Sequence, residues 1–160
     1  MKKKRKVIRK SKQQLNSDYA IMLEWRKCLR LAMLWMYEHF ECTEQAFDEF
    51  IDMYSDYFDA AVANGDATDE LDREFKEYTG IDLTKVHLEG GEISKSIKLV
   101  QAISIRVSGV ILKEVYNMDR KTLRDFVYGM WDYINDYPHN SARLREFEET
   151  TGVIARLKKI

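Results

Sequence analysis

The feature of this sequence that most constrains its fold is an internal repeat. The string at Arg73–Ile81, REFKEYTGI, returns at Arg145–Val153 as REFEETTGV. Further upstream, the apolar positions of 47–58 return over 123–134, and those of 21–40 return over 97–116. Three segments that recur in the same order indicate a duplication. The offset between the copies is larger for the upstream segments by about four residues, or one helical turn. The second helix of copy two is therefore predicted to be one turn shorter than its counterpart, ending near Tyr137-Pro138.

Both copies show helical periodicity. Apolar residues recur at spacings of three and four over 19–40 and 47–58, which is the pattern of an amphipathic helix. Residues 97–107 alternate in apolar character, and that stretch alone would indicate a strand. Its alignment with 21–40 instead predicts a helix over 93–116.

Capping residues give the predicted helix boundaries. Ser17 and Thr43 are N-cap residue types placed before the first and second helices. The third helix is predicted to begin near Thr68 and to end at Thr79-Gly80. One proline and seven glycines are too few for an all-β sandwich or barrel. The sequence predicts an all-α, six-helix domain built from two duplicated three-helix units with pseudo-two-fold symmetry.

The predicted organisation has five parts. They are a basic flexible tail over 1–16, copy one over 17–81, a linker over 82–92, copy two over 93–153 and a C-terminal tail over 154–160. A unit of about 60 residues is marginally stable alone. We therefore expect the two long first helices to pack together.

Charge is divided sharply along the chain although the formal net charge is −1. Residues 1–40 carry 11 Lys and Arg against 3 Asp and Glu, whereas residues 41–90 carry 3 against 15 and residues 91–160 carry 12 against 9. Such asymmetry bears on partners more than on fold.

The acidic excess is densest on the second predicted helix. Six acids form what we call the acidic ridge: Glu44, Asp48, Glu49, Asp52, Asp56 and Asp59. Spacings of four residues put most of them on one helical face. The repeat places Arg120, Arg124 and Tyr128 where copy one has Glu44, Asp48 and Asp52. The ridge is interpreted either as a surface for a cationic partner or as solvated surface that aids solubility.

Polar positions that are alike in both copies are expected to serve the shared fold through ion pairing and capping. They are Arg30/Arg106, Glu38/Glu114, Asp56/Asp132, Arg73/Arg145 and Glu77/Glu149.

The N-terminus is strongly basic, with cations at Lys2, Lys3, Lys4, Arg5, Lys6, Arg9, Lys10 and Lys12. The run Lys2–Val7, KKKRKV, resembles the monopartite nuclear-import signal of a viral large T antigen. The resemblance covers these six residues, and Met1 stands where that signal has a proline. Such a tail would also bind phosphate backbones non-specifically, or it could act as a solubilising tail or as an intramolecular partner for the acidic segment.

No metal, cofactor or catalytic motif is predicted. His39-Phe-Glu-Cys42 is a single H-x-x-C without a second cluster, whereas zinc needs about four ligands. The chain has no glycine-rich phosphate loop and no G-x-S-x-G. Two cysteines, Cys28 and Cys42, make a reducing compartment the default, so a cytoplasmic location is expected, or a nuclear one if the source is eukaryotic. No apolar run approaches the length of a bilayer-spanning helix, so no membrane span is expected.

The lead hypothesis is a non-enzymatic intracellular binding protein, a small inhibitor or adaptor. Its acidic ridge would occupy a basic, nucleic-acid-binding surface of a protein partner, by analogy with the anti-CRISPR proteins and other small inhibitors that phages and mobile elements encode. Tyr128 and Trp131 are candidate interface aromatics, although core packing is favoured for Trp131. The alternative is a nucleic-acid-binding accessory protein that uses the tail with Lys95, Lys98, Arg120, Lys121, Arg124, Arg143 and Arg145. The sequence indicates neither the partner nor the oligomeric state.

Overall fold

A computed structural model describes residues 12–63, 65–83, 92–153 and 157, and over these ranges the protein is all-helical, with no strand. The described helices run in chain order as α1 (Lys12–His39), α2 (Glu44–Ala63), α3 (Gly65–Thr79), α4 (Glu92–Glu114), α5 (Arg120–Asn135) and α6 (Tyr137–Thr151). We refer to α1–α3 as the first half and to α4–α6 as the second half. None of these helices combines the length and the apolar character needed to cross a bilayer.

Two predicted helix starts are corrected. α1 begins at Lys12 and not at Ser17, because Lys, Gln and Leu are good helix formers that extend the helix beyond the serine. Residues 12–16 of the predicted tail are part of α1, and its residues 1–11 lie outside the described residues. α3 begins at Gly65, slightly before Thr68.

Other sequence predictions are confirmed. The Thr43 hydroxyl oxygen accepts a hydrogen bond from the Ala46 amide at 3.2 Å, so Thr43 caps α2 as predicted. The stretch over 93–116 is helical, as the alignment with 21–40 predicted, and α4 spans nearly all of it. Burial of nearly every side chain over 102–112 explains why β-branched residues are tolerated here, since packing overrides their lower helix propensity.

Helix lengths follow the two offsets of the repeat. α2 has 20 residues and α5 has 16, while α3 and α6 have 15 each. The C-termini of α3 and α6 also match. The hydroxyls of Thr79 and Thr151 donate to the carbonyl oxygens of Phe75 and Phe147 at 2.7 and 2.8 Å. The next residues, Gly80 and Gly152, have φ of 76° and 68°, which glycine adopts without steric cost. The duplication itself stays a prediction.

The halves are interleaved. α1 packs most extensively on α4, as expected for the two long helices. α2 and α3 pack more on α4 than on α1, and α6 packs more on α1 than on α4. The core therefore lies between the halves and includes fully buried side chains from α1, α2, α4, α5 and α6, such as Met33, Tyr54, Ile105, Phe126 and Phe147.

Two ion pairs tie the long helices to the third helix of the opposite half. Arg30 of α1 pairs with Glu148 of α6, and Arg106 of α4 pairs with Asp72 of α3. Burial lowers the pKa of Arg30, but the hydrogen bond and charge of Glu148 outweigh it and raise that pKa above its usual value. In the second pair burial prevails, and it lowers the pKa of Arg106 and raises that of Asp72 despite their mutual attraction.

One hydrogen bond ties each long helix to the second helix of the opposite half. The Tyr57 hydroxyl donates to Glu114 at 3.2 Å, and the Tyr133 hydroxyl donates to Glu38 at 3.0 Å. Tyr57 and Glu38 correspond in the repeat to Tyr133 and Glu114, so the repeat relates one contact to the other. The predicted structural role of Arg30, Arg106, Glu38 and Glu114 is thus confirmed.

The other matching polar pairs are corrected. The side chains at Asp56/Asp132, Arg73/Arg145 and Glu77/Glu149 are exposed. They make no ion pair with any described residue. Their helical positions point away from the core, so the repeat preserves solvent-facing polarity there and not a contact.

Candidate protein-binding surface

The acidic ridge lies on the outer face of α2. The inner face of this helix buries Phe47, Phe50, Ile51, Tyr54 and Phe58 in the core. That burial fixes the rotation of α2 about its axis, because residues three and four apart share a face. Of the ridge, Glu44, Glu49, Asp52, Asp56 and Asp59 are exposed, whereas Asp48 is half-buried.

The ridge divides into a tethered end and an open end. Glu44 and Asp48 make contacts within the protein, and Glu49 accepts a hydrogen bond from Gln45 at 3.0 Å. Asp52, Asp56 and Asp59 have no hydrogen bond or ion pair with any described residue. The structure therefore brings the six predicted residues together along one helix, and its last three acids are available to a partner.

The corresponding face of α5 is basic. Arg120, Lys121, Arg124, Asp125 and Tyr128 line an open groove of about 640 Å³, which we call the basic groove. The helix beneath it begins at the N-cap Asp119, whose carboxylate accepts from the Thr122 amide at 2.7 Å. This backbone hydrogen bond lowers the pKa of Asp119 and holds the first turn of α5 in place.

The two candidate aromatics have different surroundings. The Tyr128 ring is 56% exposed and lines the basic groove. Trp131 is half-buried and packs against the core, in line with the interpretation favoured from its sequence position. Tyr128 is consequently the better-placed interface residue of the two.

The cations proposed for nucleic-acid binding do not form one site. Arg120, Lys121 and Arg124 come together, whereas Arg143 is bound to Glu38 at 2.5 Å and lies 5.2 Å from the centre of the Tyr133 ring. The remaining members lie on α4 and α6. The tail cations before residue 12 lie outside the described residues, and so do the linker residues 84–91. The sequence analysis did not group the residues of the basic groove into one site. The four-residue spacing of Arg120, Arg124 and Tyr128 was a signal that they share a helical face.

Metal and thiol chemistry find no support in the described residues. No group of three or more His, Cys, Asp or Glu side chains in those ranges could hold a metal ion. Burial, with the charge of Glu24 adding to it, raises the pKa of Cys28 to about 12, so this thiol stays protonated and unreactive at neutral pH. Burial also raises the pKa of Cys42.

Comparison of the chain with protein-family models, curated proteins and solved structures gives no match.

Proposed function

We propose that this is a non-enzymatic binding protein that acts inside the cell as a small inhibitor or adaptor. Its acidic ridge binds a basic surface of a protein partner, one that otherwise holds nucleic acid. The observation that carries the proposal is the row of outward-facing carboxylates on α2 whose last three members, Asp52, Asp56 and Asp59, have no partner among the described residues.

Stability does not explain this row. Like charges four residues apart destabilise an isolated helix by about 0.2–0.5 kcal/mol per pair. Acids near the C-terminus of a helix, such as Asp59 on α2, also interact unfavourably with the helix dipole. The ridge extends over about 22 Å of helix, a length that suits an elongated basic surface. A face that weakens its own helix is better explained by binding than by folding.

The proposed duplication supports the same conclusion. We infer that the two halves derive from one three-helix unit, since the helix lengths, the Thr-Gly helix ends and the reciprocal polar contacts follow the repeat. Under that relation Glu44 and Asp48 correspond to Arg120 and Arg124. Equivalent surfaces have thus diverged to opposite charge while the reciprocal Tyr–Glu hydrogen bonds between the halves are retained.

A second function is favoured by the basic groove. Arginines beside an exposed aromatic ring are typical of surfaces that bind single-stranded nucleic acid, where the cations contact phosphates and bases stack on the ring. Arg120, Arg124 and Tyr128 supply that combination. Salt-sensitive binding of a single-stranded oligonucleotide would support this nucleic-acid-binding accessory role.

The ridge is tested with the double variant Asp52→Asn and Asp56→Asn. Both side chains are exposed and without described partners, so the fold should be unchanged and the melting temperature equal or slightly higher. Affinity purification of the tagged protein from its host would supply a basic partner, whose binding is then measured by calorimetry. We expect binding to weaken by more than about 1 kcal/mol.

The matched control is Glu77→Gln with Glu149→Gln, which changes the net charge equally at exposed positions of α3 and α6. The control should bind the partner as the unchanged protein does. Equal binding by the ridge variant would contradict the proposal, as would equal weakening by the control, because the effect would then be one of net charge.

A further inference from the structure

The basic groove carries an excess of positive charge. Arg120, Lys121 and Arg124 make no salt bridge with any described residue. Asp125 is the acid that lines the groove, and the Tyr128 hydroxyl is available as a further donor. Three cations against one carboxylate leave the groove with net positive charge at neutral pH.

The acidic ridge matches the groove in spacing. Arg120, Arg124 and Tyr128 succeed one another at four-residue intervals, and each step advances about 6 Å along α5. Four acids of the ridge over 44–56 have the same interval on α2. Rows at four-residue intervals on two helices can interdigitate. Two guanidinium groups can therefore face Asp52 and Asp56, the exposed acids of this row that have no partner among the described residues.

We propose that the basic groove of one molecule binds the acidic ridge of a second copy of this chain. This inference rests on the proposed function of the ridge and names one partner for it. The complementarity arises from the repeat itself, because Arg120 and Arg124 occupy in the second half the positions that Glu44 and Asp48 occupy in the first.

This contact joins unlike surfaces, and that determines the kind of assembly. A heterologous contact leaves one groove and one ridge unoccupied at the two ends of the assembly. Further copies therefore add head to tail until a ring closes or the assembly stops growing. Exposed ion pairs each contribute little to binding, because water and salt screen them. The association is consequently weak, and it depends on protein concentration and on ionic strength.

Two variants that each remove one surface test the proposal by sedimentation velocity. The groove variant carries Arg120→Gln with Arg124→Gln, and the ridge variant carries Asp52→Asn with Asp56→Asn. We expect the unchanged protein to grow in mass with concentration at about 0.02 M salt and to be monomeric at about 0.5 M, where charges are screened over a few ångströms. Each variant alone should associate at least about tenfold more weakly.

The mixture of the two variants is the decisive sample. The groove variant keeps its ridge and the ridge variant keeps its groove, so together they form a single complementary contact. An equimolar mixture should stop at a 1:1 dimer. The control Arg73→Gln with Arg145→Gln changes the net charge as the groove variant does, at exposed positions, and should assemble like the unchanged protein.

A monomer at all concentrations in low salt would overturn the proposal, and so would a mixture of the two variants that stays monomeric. If the unchanged protein stays monomeric and its groove instead binds a single-stranded oligonucleotide, the inference is overturned in favour of nucleic acid. The proposed function would survive that result if the groove variant still binds the foreign basic partner and the ridge variant does not. Loss of self-association only in the ridge variant would also overturn the inference, because the groove would then take no part in the contact.

Discussion

The two halves of the molecule agree in their inward contacts and differ in their outward charges. Tyr57 reaches Glu114 as Tyr133 reaches Glu38, so the polar contacts across the interface between the halves are reciprocal. On the outer face, by contrast, α2 presents carboxylates where α5 presents guanidinium groups. Other exposed positions, such as Asp56 and Asp132, carry the same residue in both halves. We infer that binding specificity arises at the exposed positions where α2 and α5 differ in charge.

The largest expected effect comes from the two ion pairs between the halves, Arg30–Glu148 and Arg106–Asp72, whose losses we expect to be unequal. Arg30→Met leaves Glu148, which is 4% exposed, without its cation, and an uncompensated buried charge costs about 3–5 kcal/mol. Arg106→Met should cost about 1–2 kcal/mol, because burial already raises the pKa of Asp72 and this carboxyl can take up a proton. Urea unfolding followed by circular dichroism measures both losses.

Equal losses of unfolding free energy in Arg30→Met and Arg106→Met would contradict this prediction and would mean that the two ion pairs contribute equally to stability. The variant Arg145→Met provides the control, since Arg145 is exposed and has no described partner. Its stability should change by no more than about 0.5 kcal/mol.

The next effect concerns two glycines of the second half that receive aromatic rings of the first half. A Cβ at Gly109 would lie 2.3 Å from Cε2 of Phe75, and one at Gly129 would lie 2.7 Å from Nε1 of Trp35. Alanine would favour both helices by about 1 kcal/mol through its helix propensity. Overpacking opposes this and should prevail at Gly109, so Gly109→Ala is expected to lose about 1–3 kcal/mol.

Thermal unfolding of Gly109→Ala alone and with Phe75→Leu separates the two terms. Leucine at position 75 has no ring to clash with the new Cβ. The double variant should therefore lose less stability than the sum of the losses of the two single variants. Additive losses would show that Phe75 does not set the requirement for glycine, and a more stable Gly109→Ala would show that helix propensity prevails over packing there.

The smallest effect is a pH dependence at Asp72. Because burial raises its pKa in the folded protein, the folded state holds this proton to higher pH than the unfolded chain does. Its contribution to stability is therefore fully present below the unfolded pKa of about 3.9 and is lost as pH rises through the raised value. The difference in unfolding free energy between the unchanged protein and Asp72→Asn should fall as the pH rises above about 4 and through the raised pKa of Asp72. A difference that rises over this range would mean that Arg106 prevails over burial.

Much of the fold could be predicted from local signals. Residue types at the helix ends predicted the Thr43 cap of α2 and the Thr-Gly ends of α3 and α6. The helical state of 93–116 was predicted from the alignment with 21–40. The predicted start of α1 at Ser17 was wrong. Ser17 is an N-cap residue type, but the residues just before it are good helix formers and extend the helix to Lys12. A residue type indicates where a helix can begin, whereas the summed propensity of its neighbours decides where it does.

The long-range contacts could not be predicted from the repeat. Alignment shows that Arg30 corresponds to Arg106, but it does not show that the partner of each lies on the third helix of the opposite half. The same limit explains the error at Asp56 and Asp132, which are alike in both copies and yet exposed. For the candidate site, the ridge follows from spacing along a single helix, whereas the half-buried position of Asp48 depends on what packs beside it.

The interleaving of the halves also has a consequence for the order in which the chain can fold during synthesis. Arg30 is paired with a residue 118 positions later in the chain, and Glu38 binds Arg143, 105 positions later. While the first half emerges from the ribosome, the surface of α1 that α4, α5 and α6 will cover has nothing to pack against. Stable structure must therefore wait until α6 has been made, so the two halves should acquire protection from hydrogen exchange together, and neither is a folding intermediate for the other.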